Sequence, residues 1–580
     1  MRTQNLSTQR VEHGYALMLT MLLVAVTLLV LGSVVSWTSM ETGLTSRNNL
    51  YNTTVAGAEA GTERVLAEID RDFVYQSVKA GNLNYYRGLL PAQTDWPVQF
   101  AYSDGAGTDD QTGLISLGPT VVANLNSEFQ GLYGLVSPYR VTSRAAPLNQ
   151  NYDLSATVVQ DFELARIPIF QYAIFYSIDL EINPGAAMVV RGKTHSNGEI
   201  YAAPSATLDF KDVVTAVGTI ENYRHPNDPT TGGKTMPTYV SKLENVSALV
   251  LPIGTNNSPA AVQAILDPPP TGEDPNSSLG RQRIYNQADL IISNTPSGVV
   301  MTSGAWDGFK AVPPDAGSAY SFVTNVSFYD YREGKTVKAT EIDVGKFNTW
   351  LAATTTNGGS TLNGSAHFKM SHGLNSLYTV DSRPMTSSTV AAVRVTNGKQ
   401  LPADGLTVAT AAPLYVKGHF NLNNGTDSSV GQIITANTKP AALIGDAVTM
   451  LSANWNDSNT SGTSLSSRAP ADTTVNAAIL AGIVESQQVS GVKHYSGGVE
   501  NFPRFLENWS NQSLTYNGSM VVMFPSRYAT NFWQKTGIYY NPPTRKWAFD
   551  MNFLNSDKLP PLTPQVRKLV RGQWKVIATN

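Results

Sequence analysis

Residues 14–37, GYALMLTMLLVAVTLLVLGSVVSW, decide how the rest of the chain is read. From Tyr15 to Trp37 there is neither a charge nor a proline. At about 1.5 Å per residue a helix of this length measures roughly 35 Å, more than the ~30 Å hydrocarbon core of a bilayer. Its twelve Leu and Val side chains favour insertion by about 4 to 7 kcal/mol on a translocon-type scale. Glu41 ends the apolar run, but the helical pattern continues beyond it. Met40, Leu44, Tyr51, Val55, Ala58, Thr62, Val65, Ile69 and Phe73 recur mostly at three- and four-residue steps, as one face of an amphipathic helix does. The spacing carries the helix to about residue 78, with Ala80-Gly81-Asn82 as its stop and Gly32 and Gly43 as points where it can bend. The lower half of this stripe is expected to dock on the chain's own outer part.

Ahead of the apolar run, residues 1–14 are short and polar, with Arg2 and Arg10. Positive charge there is expected to hold the N-terminus in the cytoplasm and place everything after Trp37 outside the inner membrane. A cleaved secretory signal fits poorly, because its apolar run spans roughly 7 to 15 residues and ends at an A-x-A site that is missing here. A plain signal anchor and a short processed leader remain.

A basic leader ending at Gly14, followed by an apolar helix opening on Tyr15, resembles the processing region of type IV pilins and type II secretion pseudopilins. The resemblance implies that a prepilin peptidase cuts between Gly14 and Tyr15. It also implies that the helix associates with those of other pilin-like subunits. The family's acidic residue at the fifth mature position is replaced by Leu19. In the family that acid is thought to pair with a neighbour's terminal amine in the apolar core, where an unpaired charge is costly. Its absence resembles GspK-like and some PilX-like minor components, and implies a tip or priming position rather than a major subunit. Three further stretches resemble PilX-like pilus assembly proteins: VAGAEAGTERVLAEI (Val55 to Ile69), IPIFQYAIFY with HSNGEIY (residues 167–176 and 195–201), and the aromatic C-terminal part (residues 496–524 and 539–550).

The chain has 580 residues, room for several domains. A net charge of −3 and a pI near 6.2 leave no basic surplus, so nucleic acid is not an expected partner. Cysteine is absent, which excludes disulfides, thiolate metal sites and cysteine nucleophiles. Few charges and abundant small polar residues suit a β-rich extracytoplasmic protein that depends on its apolar core. The expected fold class is α+β, mainly β: a long N-terminal transmembrane-plus-amphipathic helix followed by large β-rich domains, an irregular β-solenoid or a sandwich. The expected segments are a leader (1–14), a transmembrane helix (15–37), a stalk helix (38–80), an irregular α+β region (81–150) and a β-rich region (151–255). A flexible insertion (256–281) and a β-rich, solenoid-like region (282–580) complete the chain. Within these, a short helix is expected near Thr120 to Tyr133, and tight turns at Pro184-Gly185 and Asn197-Gly198. Residues 352–365 read as a low-complexity turn region. No fixed period of about 20 to 50 residues emerges.

Motifs for chemistry are sparse. Asp104, Asp109 and Asp110 lie among glycines but lack the spacing of a calcium loop, so they read as a polar loop. Gly232-Gly233-Lys234-Thr235 ends like a phosphate-binding loop, yet Asp228 stands where its first glycine belongs, followed by Pro229. His195-Ser196-Asn197 reads as strand and turn, and His367 and His372 as coincidence. No catalytic, cofactor-binding or metal-ligating residue is expected, and no cofactor. An enzymatic alternative, a β-helix carbohydrate-active protein, would draw paired carboxylates from Asp446, Asp457, Asp472, Glu500 and Glu507, with Arg504. A glycan groove would draw on Trp455, Trp509, Trp533 and Trp547, against the alternative that these are core. The preferred reading is a non-enzymatic minor pilin-like component acting in assembly initiation, tip formation or adhesion. It would reside in the inner membrane before assembly and in a surface pilus afterwards. Its partners would be other pilin-like subunits, the prepilin peptidase, the membrane, and a surface glycan or a host or abiotic surface. The competing reading is a membrane-anchored β-rich adhesin or glycan-binding protein outside any filament.

Overall fold

A computed structural model describes the chain except for residues 1–12, 76–82, 126–128, 130, 151, 232–234, 316, 357–372, 423–436, 535–536 and 578–580. Arg2, Arg10, Ala80-Gly81-Asn82, Gly232-Gly233-Lys234, His367, His372 and most of residues 352–365 lie outside the described residues.

One unbroken helix, α1 (His13–Val74), joins the apolar run to the amphipathic stripe. It passes through Gly32 and Gly43 without interruption. Its lower half lies on an antiparallel sheet built from β1 (Phe100–Ser103), β2 (Gly113–Ser116), β3 (Val121–Asn124), β4 (Tyr133–Pro147), β5 (Ala156–Pro168) and the C-terminal strand Gln565–Ile577. The long strand β4 takes β1, β2 and β3 along one edge and β5 along the other. Pro138, which has no N–H to donate, falls where that first edge changes partner, between Val136 opposite β3 and Tyr139 opposite β2.

This sheet departs from the expectations in two ways. Residues 121–124 form a strand rather than part of a helix near Thr120 to Tyr133; Val121 and Val122 are β-branched, and the waiting edge of β4 decides their conformation. The pairing of β4 with β5 also runs across position 150, so what reads as an irregular region and the start of a β-rich one are two halves of a single ladder.

Residues 169–564 leave β5 and return as the C-terminal strand, whose Gln565 sits opposite Pro168. In between, short strands stack into two large sheets. One runs through Leu208–Ala216, Thr194–Ser196, Ile174–Tyr176, Met520–Val522, Ala478–Ala481, Ala441–Gly445, Leu406–Ala409, Ser376–Asp381 and Leu290–Thr295. The other runs through Lys335–Asp343, Thr389–Gly398, Leu414–Phe420, Thr473–Asn476, Ser513–Gly518 and Thr544–Phe549. Neighbours along both runs pair in parallel. From residue 376 onward the chain crosses from one sheet to the other at almost every turn. Such strands are covered on both faces, and they accordingly read as continuous apolar runs (IFY, AALIG, AILA) rather than as alternation. Where the turns stack, Asn421, Asn476 and Asn517 form a ladder: Asn421 Nδ2 donates to the Asn476 carbonyl (2.8 Å) and Asn517 Nδ2 to Asn476 Oδ1 (2.7 Å).

The stacking order is not the chain order. Strands from Ile174 to Leu243 build outward from a seam; the chain then crosses to the far end at Leu290 and builds back, until Met520 pairs with Ile174. Both ends of the insertion therefore meet in mid-stack.

The Asn197-Gly198 turn is a corner between stacked parallel strands, not a hairpin. Asn197 Oδ1 accepts from Leu249 N and its Nδ2 donates to Leu249 O, so the side chain pairs with backbone as a strand would. The segment 256–281, expected to be flexible, is seated: Val262, Ile265 and Leu266 are buried, and Arg283 closes over it in a two-pronged pair with Glu273. The apolar VQAIL run ahead of its prolines supplies the buried face.

Candidate functional site: the two halves of the long helix

Between Tyr15 and Trp37 no other part of the described chain covers α1; Tyr15 is 83% exposed and Leu19 62%. Among the described residues this is the one helix long and apolar enough to cross a membrane. Four hydroxyls in and just beyond this span are turned inward onto the helix's own backbone. Thr20 Oγ1 donates to Ala16 O (3.0 Å), Ser33 Oγ to Leu29 O (2.7 Å), Thr38 Oγ1 to Val34 O (2.8 Å), and Thr27 bonds Leu23 in the same way. In a medium without water every polar group must find such a partner. Gly14 lies in the first turn of the helix.

The lower half is held differently. Ala58, Thr62, Val65, Ile69 and Phe73 of the expected stripe are buried, Tyr51 and Val55 half-buried, and Met40 and Leu44 exposed. The buried face meets Phe100, Tyr102, Leu114, Val141, Phe162, Leu164 and Leu569 of the sheet. Two glycines set how closely helix and sheet approach. A Cβ added to Gly57 would lie 2.8 Å from the Phe100 ring, and one added to Gly61 would lie 3.0 Å from Ser143 Cβ and closer still to its hydroxyl. Tyr102 donates its hydroxyl to Gly57 O at 3.2 Å, and Arg571 of the C-terminal strand forks onto Glu63. Sequence reading passed over Gly57 and Gly61, although the small residues of VAGAEAG repeat at four-residue spacing and signal a close approach.

The six residues of the enzymatic alternative are each occupied in holding the stack together. Asp446 is fully buried and accepts from the backbone N–H groups of Arg527, Tyr528 and Ala529 and from Gln263 Nε2. Asp457 forks onto Arg394, Asp472 accepts from Ser513 N, and Arg504 pairs with Glu333. Glu507 accepts from Ser452 N and Oγ, both at 2.7 Å. Glu500 accepts from Asn183 N and the Tyr495 hydroxyl. Glu181, which no motif singles out, is a further buried acid that accepts from Ser496 Oγ at 2.9 Å. The space beside Glu181 and Arg504 measures ≈ 10 Å³, room for about one water and far too little for a sugar. Trp455 and Trp509 are core residues; Trp533 and Trp547 are half-buried, and each packs on its own aromatic neighbours, Tyr495 and Tyr516 respectively.

His195 is buried, bonded to Thr215 Oγ1 (2.8 Å) and Asn197 Oδ1 (2.9 Å), and burial pulls it down to about 4. Asp104 folds its own turn, accepting from Ala106 N and Thr108 N, and those two bonds hold its carboxyl below the usual range. Among the described residues no cluster of three or more His, Asp or Glu is arranged to hold a metal ion.

Burial lifts Glu181 to about 7, against the pull of hydrogen bonds from Ser486 and Ser496, and lifts Glu507 to about 7 against Ser452. A carboxyl raised on folding stabilises the fold below its unfolded value and loses that contribution as pH rises through the folded one. Each therefore weakens the fold between about pH 4.5 and 7. His195, lowered on folding, acts with the opposite sign between about pH 6.5 and 4. Glu181→Gln is expected to gain on the parent as pH rises from about 5 to 8 in urea unfolding; a difference independent of pH would contradict this.

No family model matches the chain, and no curated protein sequence matches it. Among solved structures the chain is similar to the crystal structure of the competence-associated pilin ComZ from Thermus thermophilus, with 12% identity over 91% of this chain and 97% of that one, at a TM-score of 0.29, too low to establish a common fold.

Proposed function

We propose that the chain is a minor, pilin-like subunit whose bare apolar half-helix is stored in the inner membrane and then packs against the helices of other subunits in a filament. One observation carries this reading: α1 is a single rod, apolar and uncovered on every side in its upper half, and fixed to a sheet through its lower half. A bare span inserts in lipid or among other helices, and the rigid lower half sets where the outer part then stands. The parallel stack, read as an irregular β-solenoid, is the part displayed. Leu19 in place of an acid supports a low-copy place at the tip or in a priming complex, as does a bulk that would crowd a thin fibre. The carboxylates of the enzymatic alternative are committed to internal bonds, which supports a role in assembly or adhesion rather than catalysis.

The reading places the prepilin peptidase cut between Gly14 and Tyr15. Mass spectrometry of the mature protein is expected to find Tyr15 at the N-terminus, and deletion of the peptidase is expected to abolish that species. An intact Met1, or a cut beyond Trp37, would overturn it. A membrane-anchored adhesin would be unchanged in size and location by the same deletion.

A further inference from the structure

Arg166 of β5 and Arg567 of the C-terminal strand stand directly opposite each other in antiparallel register. Side chains so placed leave the same face with Cβ atoms about 4.5 to 5.5 Å apart, and like charges there oppose the pairing. Arg281 adds a third positive charge nearby. Arg567 is half-buried, and burial first, then Arg166 and Arg281, pull it down to about 10. Among the described residues none of the three guanidinium groups is in ion-pair contact with a carboxylate; Arg567 has only the face of Phe73, 5.3 Å away. Of the other buried arginines, Arg283 meets Glu273, Arg394 meets Glu341 and Asp457, and Arg504 meets Glu333, while Arg332 and Arg468 donate to backbone carbonyls.

Beside this pair lies a cleft of ≈ 230 Å³, where the sheet under α1 meets the stack. Arg166, Arg567, Gln282, Gln565 and Thr563 line it, with Ile265 and Leu251 among its apolar walls. Two arginines that face each other in register and both line a polar cleft suit tetrahedral oxyanions, which accept several hydrogen bonds at once and cancel charge. The cleft has room for more than the oxyanion alone, and hence for a small molecule that carries one. The bilayer is not the source, because Phe73 lies about 50 Å along α1 from Trp37 at 1.5 Å per residue.

We propose that this cleft binds a phosphate or sulfate group through Arg166 and Arg567, and that the bound anion relieves their mutual repulsion. The inference is independent of the role of the upper half of α1. It is tested on the full chain in detergent, with inorganic phosphate and then sulfate titrated at constant ionic strength set by chloride, using calorimetry and thermal unfolding. The parent is expected to bind with a saturable rise in melting temperature. Arg166→Gln and Arg567→Gln are expected to bind at least tenfold more weakly. In chloride alone both variants are expected to melt at or above the parent's temperature, since each removes one of two repelling charges. General stabilisation by excluded salts would be equal in all three chains. The proposal is overturned if the parent shows no saturable response to millimolar anion, if the variants respond as the parent does, or if the variants melt below it in chloride.

Discussion

Replacing Asp446 with alanine is expected to cost the fold about 3 to 6 kcal/mol, because it leaves several buried donors with nothing to bond at about 1 to 3 kcal/mol each. The carboxylate receives Arg527 N at 2.5 Å, Tyr528 N at 2.9 Å, Ala529 N at 2.8 Å and Gln263 Nε2 at 3.3 Å, and the residue is fully buried. The damage should spread through two segments. Residues 527–529 lose their anchor directly. The segment around Gln263 loses one of its ties to the stack, and the neighbouring pair of Arg527 with Asp267 loses the backbone that positions it. Asp446→Asn keeps the shape and one acceptor oxygen but turns an NH2 onto the other pair of donors, and should also destabilise, by a comparable amount. Denaturant unfolding gives the magnitude, and hydrogen exchange gives the place: amides of 527–529 should lose protection first. An alanine variant within about 1 kcal/mol of the parent, with those amides still protected, would show that this carboxylate is not the keystone described.

Gly61→Val and Gly57→Val are expected to loosen α1 from its sheet, at about 2 to 3 kcal/mol each, the usual range for forcing extra carbons into a filled interior. The sign is informative, because glycine inside a helix is normally a weakness worth about 1 kcal/mol to replace. Here the added carbon meets Ser143 or the Phe100 ring. Gly32 is the internal control. Nothing lies within 4 Å of a Cβ placed there, so Gly32→Ala should be neutral or slightly stabilising. Thermal unfolding and protease sensitivity of residues 55–73 in the full chain distinguish the outcomes. If Gly61→Val matched Gly32→Ala, the close contact of helix and sheet would be refuted.

The parts of this architecture visible in sequence are those fixed by near neighbours. The apolar run and the three-to-four spacing through Phe73 are local signals, and α1 follows from them. The burial of Ala58 to Phe73 against exposure at Met40 and Leu44 follows from the same stripe, but where docking begins does not. Strand pairing is not local. Nothing near Leu164 says that it will face Leu569, and nothing near Val121 says that β4 will be there to pair with it. For the same reason the mainly β class was readable while the order of stacking was not. The acids show the limit for sites: Asp446, Glu500 and Glu507 resemble catalytic carboxylates by composition, and only the structure reveals that their partners are backbone amides and the hydroxyls of Ser452 and Tyr495.

Because Pro168 and Gln565 face each other across one sheet, the chain enters and leaves the stack side by side, and Ser278 Oγ on Tyr75 O and Tyr133 Oη on Phe553 O tie the stack further to α1 and its sheet. A pull along α1 is resisted by the sheet beneath it and by the fork of Arg571 on Glu63. The stack is thus an insertion between two neighbouring strands of the sheet that carries α1.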